Sequence, residues 1–151
     1  MSQTGIRGFD RTLHETHQWL GTISEEMQDT RSSIAYHALR GTLFALRDRL
    51  PVDEVFDLSA QLPMLVRGIY FEAYHPRGKP EKLDRDEFLE RVVAELQAGG
   101  GANPETAVRA VFTAINRHVT TGEVVQVRAA LPADLRDLWP DPEREAMEDA
   151  P

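Results

Sequence analysis

Asp10, His14 and His17 stand at positions i, i+4 and i+7. On a helix that spacing sets one carboxylate and two imidazoles along one side. Carboxylate and imidazole are the ligand types that zinc and similar ions take. No fourth ligand is identifiable at a matching spacing, so a solvated helix surface is the plainer account of the three. His37, His75 and His118 are scattered, and none sits in a recognisable nucleophile–base arrangement. The pairs Glu25–Glu26 and Asp84, Asp86, Glu87 would do acid–base work only if a pocket shifted their ionisation. In so charged a chain, they read as solvated faces.

Four arginines carry more weight. Arg40 and Arg109, and Arg67 and Arg136, are each separated by the same interval, as are Glu54 and Glu123. A charged residue kept twice at one place in a helical unit suits binding of an anion or a partner peptide. It equally suits a structural ion pair or the capping of helix C-terminal carbonyls, and the structural role is the favoured expectation. Arg47, Arg49, Arg67, Arg77, Lys79 and Lys82 offer material for a basic patch. The junction at Leu62–Pro63 has the outline of a helix-turn-helix. Its second helix, however, presents mainly Arg67 and Gly68 beside apolar residues, which is poor equipment for reading base edges. Gly99-Gly100-Gly101 follows a helical pattern and lacks a following Lys-Ser/Thr, so it is a turn and not a phosphate loop.

The elements that position these residues follow from the interval itself. Sliding the chain by 69 positions sets Trp19-Leu20 on Phe88-Leu89, Ala38-Leu39-Arg40 on Ala107-Val108-Arg109, and Ala60-Gln61-Leu62-Pro63 on Ala129-Ala130-Leu131-Pro132. No gap is needed from Trp19 to Tyr70, and roughly one position in five is identical. The metal-type set is not duplicated, because Leu83 and Asp86 stand opposite His14 and His17. The expected architecture is all-α: two tandem pseudo-symmetric four-helix repeats in one compact helical domain, each covering an apolar face of the other. Leu39, Leu43, Leu46 and Leu50 form one helical stripe; Val108, Phe112, Ile115 and Val119 form its counterpart. Asn103-Pro104-Glu105 reads as a helix start, with Ser32 or Ser33 as the corresponding start in the first repeat, and Thr120 or Thr121 with Glu123 is an expected cap. Pro51, Pro63 and Pro132 suit the openings of later helices. The aromatic residues, Phe56 among them, are expected on core faces. The resulting division is repeat 1 over residues 9–74, a linker over 75–83, repeat 2 over 84–139, and an acidic disordered tail over 140–151.

The stretches Ala38-Leu39-Arg40, Leu46-Arg47-Asp48-Arg49-Leu50-Pro51, Ala60 to Tyr70 and Leu131 to Trp139 together resemble the bacterial family catalogued as domain of unknown function 2267. The resemblance spans roughly residues 9–139. It implies a helical bacterial protein and brings no activity, cofactor or catalytic residue. Composition is consistent with that. There are 151 residues, 41% hydrophobic, with a net charge of −8 and no cysteine. Disulfides, thiolate metal sites and cysteine nucleophiles are therefore excluded. Net negative charge disfavours non-specific binding to nucleic acid or anionic membrane. The expectation is a cytoplasmic, non-enzymatic interaction or scaffold protein with a protein partner or self-association, and without a cofactor. The alternatives are a small-ligand or anion-binding protein or enzyme using a cleft between the repeats, and, more remotely, a nucleic-acid binder.

Overall fold

A computed structural model describes residues 3–142. The expected acidic tail falls outside the described residues from position 143 onward. Eight helices follow in order among the described residues: α1 (Arg7–Met27), α2 (Ser32–Arg49), α3 (Val52–Ser59), α4 (Met64–Phe71), α5 (Arg85–Ala98), α6 (Pro104–His118), α7 (Thr121–Ala129) and α8 (Ala133–Arg136). No strand occurs among the described residues. None of the described helices is long and apolar enough to cross a membrane.

Local chemistry explains most of the boundaries. The Asn103 side chain accepts the Thr106 N–H at 3.0 Å, with Pro104 at the first helical position. Asp84 accepts the Glu87 N–H at 2.9 Å while the Glu87 carboxylate accepts the Asp84 N–H at 3.2 Å. These two carboxylates thus form a capping box that starts α5. α2 begins at Ser32, as expected; Arg31 holds its cap position without a side-chain bond, and the Ser33 hydroxyl donates to the Gly99 carbonyl at 2.9 Å. Thr120 precedes α7, but its hydroxyl accepts from Gln61 Nε2 at 3.0 Å. In both cases a tertiary partner takes the side chain that local pattern assigns to the helix end.

The two central helices are α2 and α6. In α2 the leucine stripe is buried together with Ala35, Ala38, Gly41 and Ala45, so nearly the whole circumference is covered. In α6 an unbroken run from Ala110 to Ile115 is buried, the pattern of a helix enclosed on all sides. Their closest neighbours are crossed: α5 lies most extensively along α2, and α1 along α6. The approach of α5 is tight because Gly41 has no side chain. A Cβ there would stand 3.0 Å from Glu95 Cβ and 3.3 Å from Val92 Cα. From α1, Thr12, Thr16, Trp19 and Ile23 face inward; from α5, Phe88, Val92 and Leu96 do. The short helices close the ends, α3 against α7 and α4 against α1 and α2. Trp139 stacks on Phe112 at 3.9 Å and donates from Nε1 to Asn116 Oδ1 at 2.7 Å. Phe56 departs from expectation. It is 54% exposed, its ring lying 5.3 Å from Phe71 on the outer side of the short helices.

Candidate functional site

A concavity of about 590 Å3 lies between the N-terminal half of α1, the turn joining α3 to α4, the first turn of α4 and the last residue of α6. Its walls are built by specific bonds. Pro63 holds an extended backbone (φ −55, ψ 150) at the cap position of α4 and aims that helix. The Leu65 N–H then donates to the Thr12 hydroxyl at 2.9 Å, docking the start of α4 on α1. Gln61 grips the second half of the chain twice. Its Oε1 accepts the Thr120 N–H at 2.8 Å and its Nε2 donates to the Thr120 hydroxyl at 3.0 Å. Trp19 supplies the floor, stacked on His118 at 5.2 Å. Burial, and then the charge of Arg117, push the His118 imidazole below its usual range, so it is neutral at pH 7.

Arg67 is the charged group fixed in this cleft. Its Nε donates to the Ser59 carbonyl at 2.8 Å and its Nη2 to the Leu62 carbonyl at 3.0 Å. It thereby satisfies carbonyls at and just beyond the end of α3. Its Nη1 has no protein partner, and no carboxylate lies within ion-pair distance, among the described residues. Arg11, the other arginine lining the cleft, is paired with Glu15 at 2.9 Å. A guanidinium held rigid by carbonyls, beside the positive end of α4, is equipped to receive an anionic group.

The remaining arginine candidates are not brought to the cleft. Arg40 is spent on carboxylates, at 2.8 Å from Glu95 and 2.6 Å from Glu72, with its guanidinium 4.9 Å over the Phe44 ring. Arg109 donates to the Asp137 carbonyl at 3.0 Å and to Glu105 at 2.9 Å. Arg136 is exposed on α8. Asp10, His14 and His17 do line one small hollow of about 160 Å3, together with Gln3 and Leu13. There Asp10 Oδ1 accepts from the Thr4 N–H at 2.9 Å and the Thr4 hydroxyl at 2.8 Å. Among the described residues no group of three His, Asp or Glu side chains is placed to hold a metal ion.

The six basic residues do not gather as one face. Arg47 is buried, Lys79 lies between Asp48 at 3.6 Å and Glu81 at 3.5 Å, and Arg67 belongs to the cleft. Glu54 and Glu123 stand on α3 and α7, which pack together, and each keeps one buried oxygen without a partner. Burial, then the charges of Asp57 and Asp53, push Glu54 up. Burial, then Glu54 and Asp57, do the same to Glu123.

Sequence reasoning missed the roles of three residues. Gln61 and Glu95 are polar positions whose partners lie more than 50 residues away in the chain. Arg47 adjoins Leu46 of the apolar stripe, and that adjacency was the one available signal.

Fold and cleft together define an all-α protein of eight described helices with a cationic hollow spanning its two halves. A family model described as "Uncharacterized conserved protein (DUF2267)" matches residues 16–138, and the chain belongs to that family. No curated protein matches the sequence.

Proposed function

We propose that this chain is a cytoplasmic, non-enzymatic interaction protein, built from two copies of a four-helix unit, that receives an acidic and partly apolar segment of a protein partner in the cleft beside Arg67. The observation that carries the reading is the Arg67 guanidinium, which meets no carboxylate among the described residues, in a chain of net charge −8. An exposed apolar side chain lies beside it: Met64, 57% exposed, lines the cleft. A carboxylate on Arg67 with apolar contacts to Met64 suits such a segment. The duplication is supported by helix bounds. α2 and α6 end at Arg49 and His118, α3 and α7 begin at Val52 and Thr121, and α4 and α8 begin at Met64 and Ala133, each 69 positions apart.

Affinity capture from cells that make the protein tests this, using wild type, R67E and R67K. The expected result is a partner held by wild type, retained in part by R67K and lost with R67E, all three proteins being folded by circular dichroism. Equal capture by R67E, or no specific capture by wild type, would refute it. A second reading, a small anion in the same cleft, is favoured by its volume of about 590 Å3, within the usual range for ligand pockets. Citrate would then raise the melting temperature of wild type but not of R67E.

A further inference from the structure

Four ionisable side chains line the Arg67 cleft: Arg11, Glu15, Arg67 and His118. Arginine keeps its charge at any attainable pH, and Arg11 and Glu15 pair with each other at 2.9 Å. Histidine is the side chain that changes charge near neutral pH. His118 ends α6, with one face of its ring on Trp19 at 5.2 Å, while the residue stays open to solvent. Its Nε2 lies 3.2 Å from the Thr22 hydroxyl, and that hydroxyl gives its one hydrogen to the Gln18 carbonyl at 3.1 Å. Thr22 therefore accepts, and Nε2 carries the hydrogen of the neutral ring. The other nitrogen, Nδ1, meets no partner among the described residues and is the atom that takes up a proton. Charging the ring breaks no bond: the imidazolium keeps Thr22 as acceptor, and the face of a tryptophan attracts a cation.

We propose that His118 is a proton switch on this cleft: as its ring charges, the cleft gains a second cation beside Arg67 and holds an acidic ligand more tightly. By linkage, a bound acidic ligand draws a proton from water onto Nδ1. The inference rests on the reading that the cleft receives an anionic group. The charges around the ring leave that place for the ligand. On its own helix, Arg117 pairs with Glu26 of α1 at 2.9 Å. On α1, Glu15 is taken by Arg11. On α4, Arg67 repels a second cation, and neither Glu123 nor Arg128 of α7 lines the cleft. Burial and the Arg117 charge thus hold the ring neutral at pH 7, with no carboxylate paired to it among the described residues. A ligand anion supplies the negative charge that is missing. A second unit charge in the same cleft strengthens the binding of an anion by about threefold to tenfold at low salt, and by less as salt rises.

The probe is benzene-1,3-disulfonate, an apolar ring with two strong-acid groups that stay ionised throughout, so that only the protein titrates. Its affinity for the full chain is measured by calorimetry at low salt, at pH 7.5 and pH 5.5, for wild type, R67E, H118Q and H118K, each checked for fold by circular dichroism. Wild type is expected to bind about threefold to tenfold more tightly at pH 5.5. H118Q keeps less than about twofold of that gain, and H118K binds at pH 7.5 about as tightly as wild type does at pH 5.5. In NMR the His118 ring resonances titrate with a higher midpoint when the probe is bound, the reciprocal of the same coupling. An equal pH gain in wild type and H118Q, or an unmoved His118 midpoint, overturns the switch while leaving the anion site in place. No binding by wild type at either pH, or equal binding by R67E, overturns the reading of the cleft and the switch with it.

Discussion

Replacing Arg47 by methionine tests how the short helix α4, and with it Arg67, is held to the central helix α2. Arg47 is 6% exposed, and its Nη1 donates to the Tyr70 carbonyl at 2.8 Å and to the Glu72 carbonyl, the last acceptors of α4. Its guanidinium lies 4.3 Å over the Phe44 ring, and its Nε is 3.5 Å from Asp48. Burial pushes this guanidinium below its ordinary range, with the Asp48 charge opposing, yet it stays charged at any attainable pH. Methionine fills much of the space but donates nothing. Two carbonyls then lose their partner at about 1–3 kcal/mol each, and the ring contact adds roughly 1 kcal/mol. Release of a desolvated charge offsets part of this, leaving a net loss of about 2–4 kcal/mol. Against a typical total of about 5–15 kcal/mol, the melting temperature should fall by about 5–15 °C. Urea unfolding followed by circular dichroism measures the loss directly, with an unchanged slope expected. R47K, which keeps the charge without the planar fork, should fall between the two. An R47M protein within about 0.5 kcal/mol of wild type, the scatter of ordinary surface changes, would refute the assignment of Arg47 as the lock on α4.

Other sites give sharp expectations. The folded-state values of Glu54 and Glu123 are raised by burial and by neighbouring carboxylates. Their favourable contribution is therefore complete below the unfolded carboxyl value and lost as pH rises through the folded one. E54Q should stabilise the protein at pH 7 by about 0.5–1 kcal/mol and make no difference near pH 3; destabilisation at pH 7 in thermal melts would contradict this. Glu95 behaves oppositely. Burial alone would raise it, but hydrogen bonds from His37 at 2.9 Å and Arg40 at 2.8 Å outweigh burial and hold it low. Its contribution is present above the unfolded carboxyl value and lost as pH falls through the folded one. E95Q should cost about 1–3 kcal/mol at pH 7, with the gap to wild type closing in acid. Gly99→Ala places a Cβ 2.8 Å from His37 Cδ2 and 2.9 Å from the Ser33 carbonyl. It should cost about 1–3 kcal/mol in urea unfolding, and a neutral result would mean that α2 and α5 are less tightly apposed.

Local spacing determined a great deal. The leucine stripe of α2, its counterpart in α6, Asn103-Pro104 at a helix start and the prolines near later starts are read from residues a few positions apart. The hydrophobic period and end-capping chemistry act over that range. What sequence left open was which apolar face meets which. A stripe states that a helix must be covered, not by what, and the crossed pairing of α1 with α6 and α5 with α2 was settled by fit, including the gap at Gly41. The same limit applies to side chains. Ser33 and Thr120 had the right chemistry for caps and went to distant partners. Arg67 and Arg136 occupy matching positions, yet only Arg67 lies in the cleft, because Gln61, Trp19 and His118 converge around it from three elements. A hydrogen bond needs its partner within about 3 Å, and for groups far apart in the chain only the packed helices set that distance.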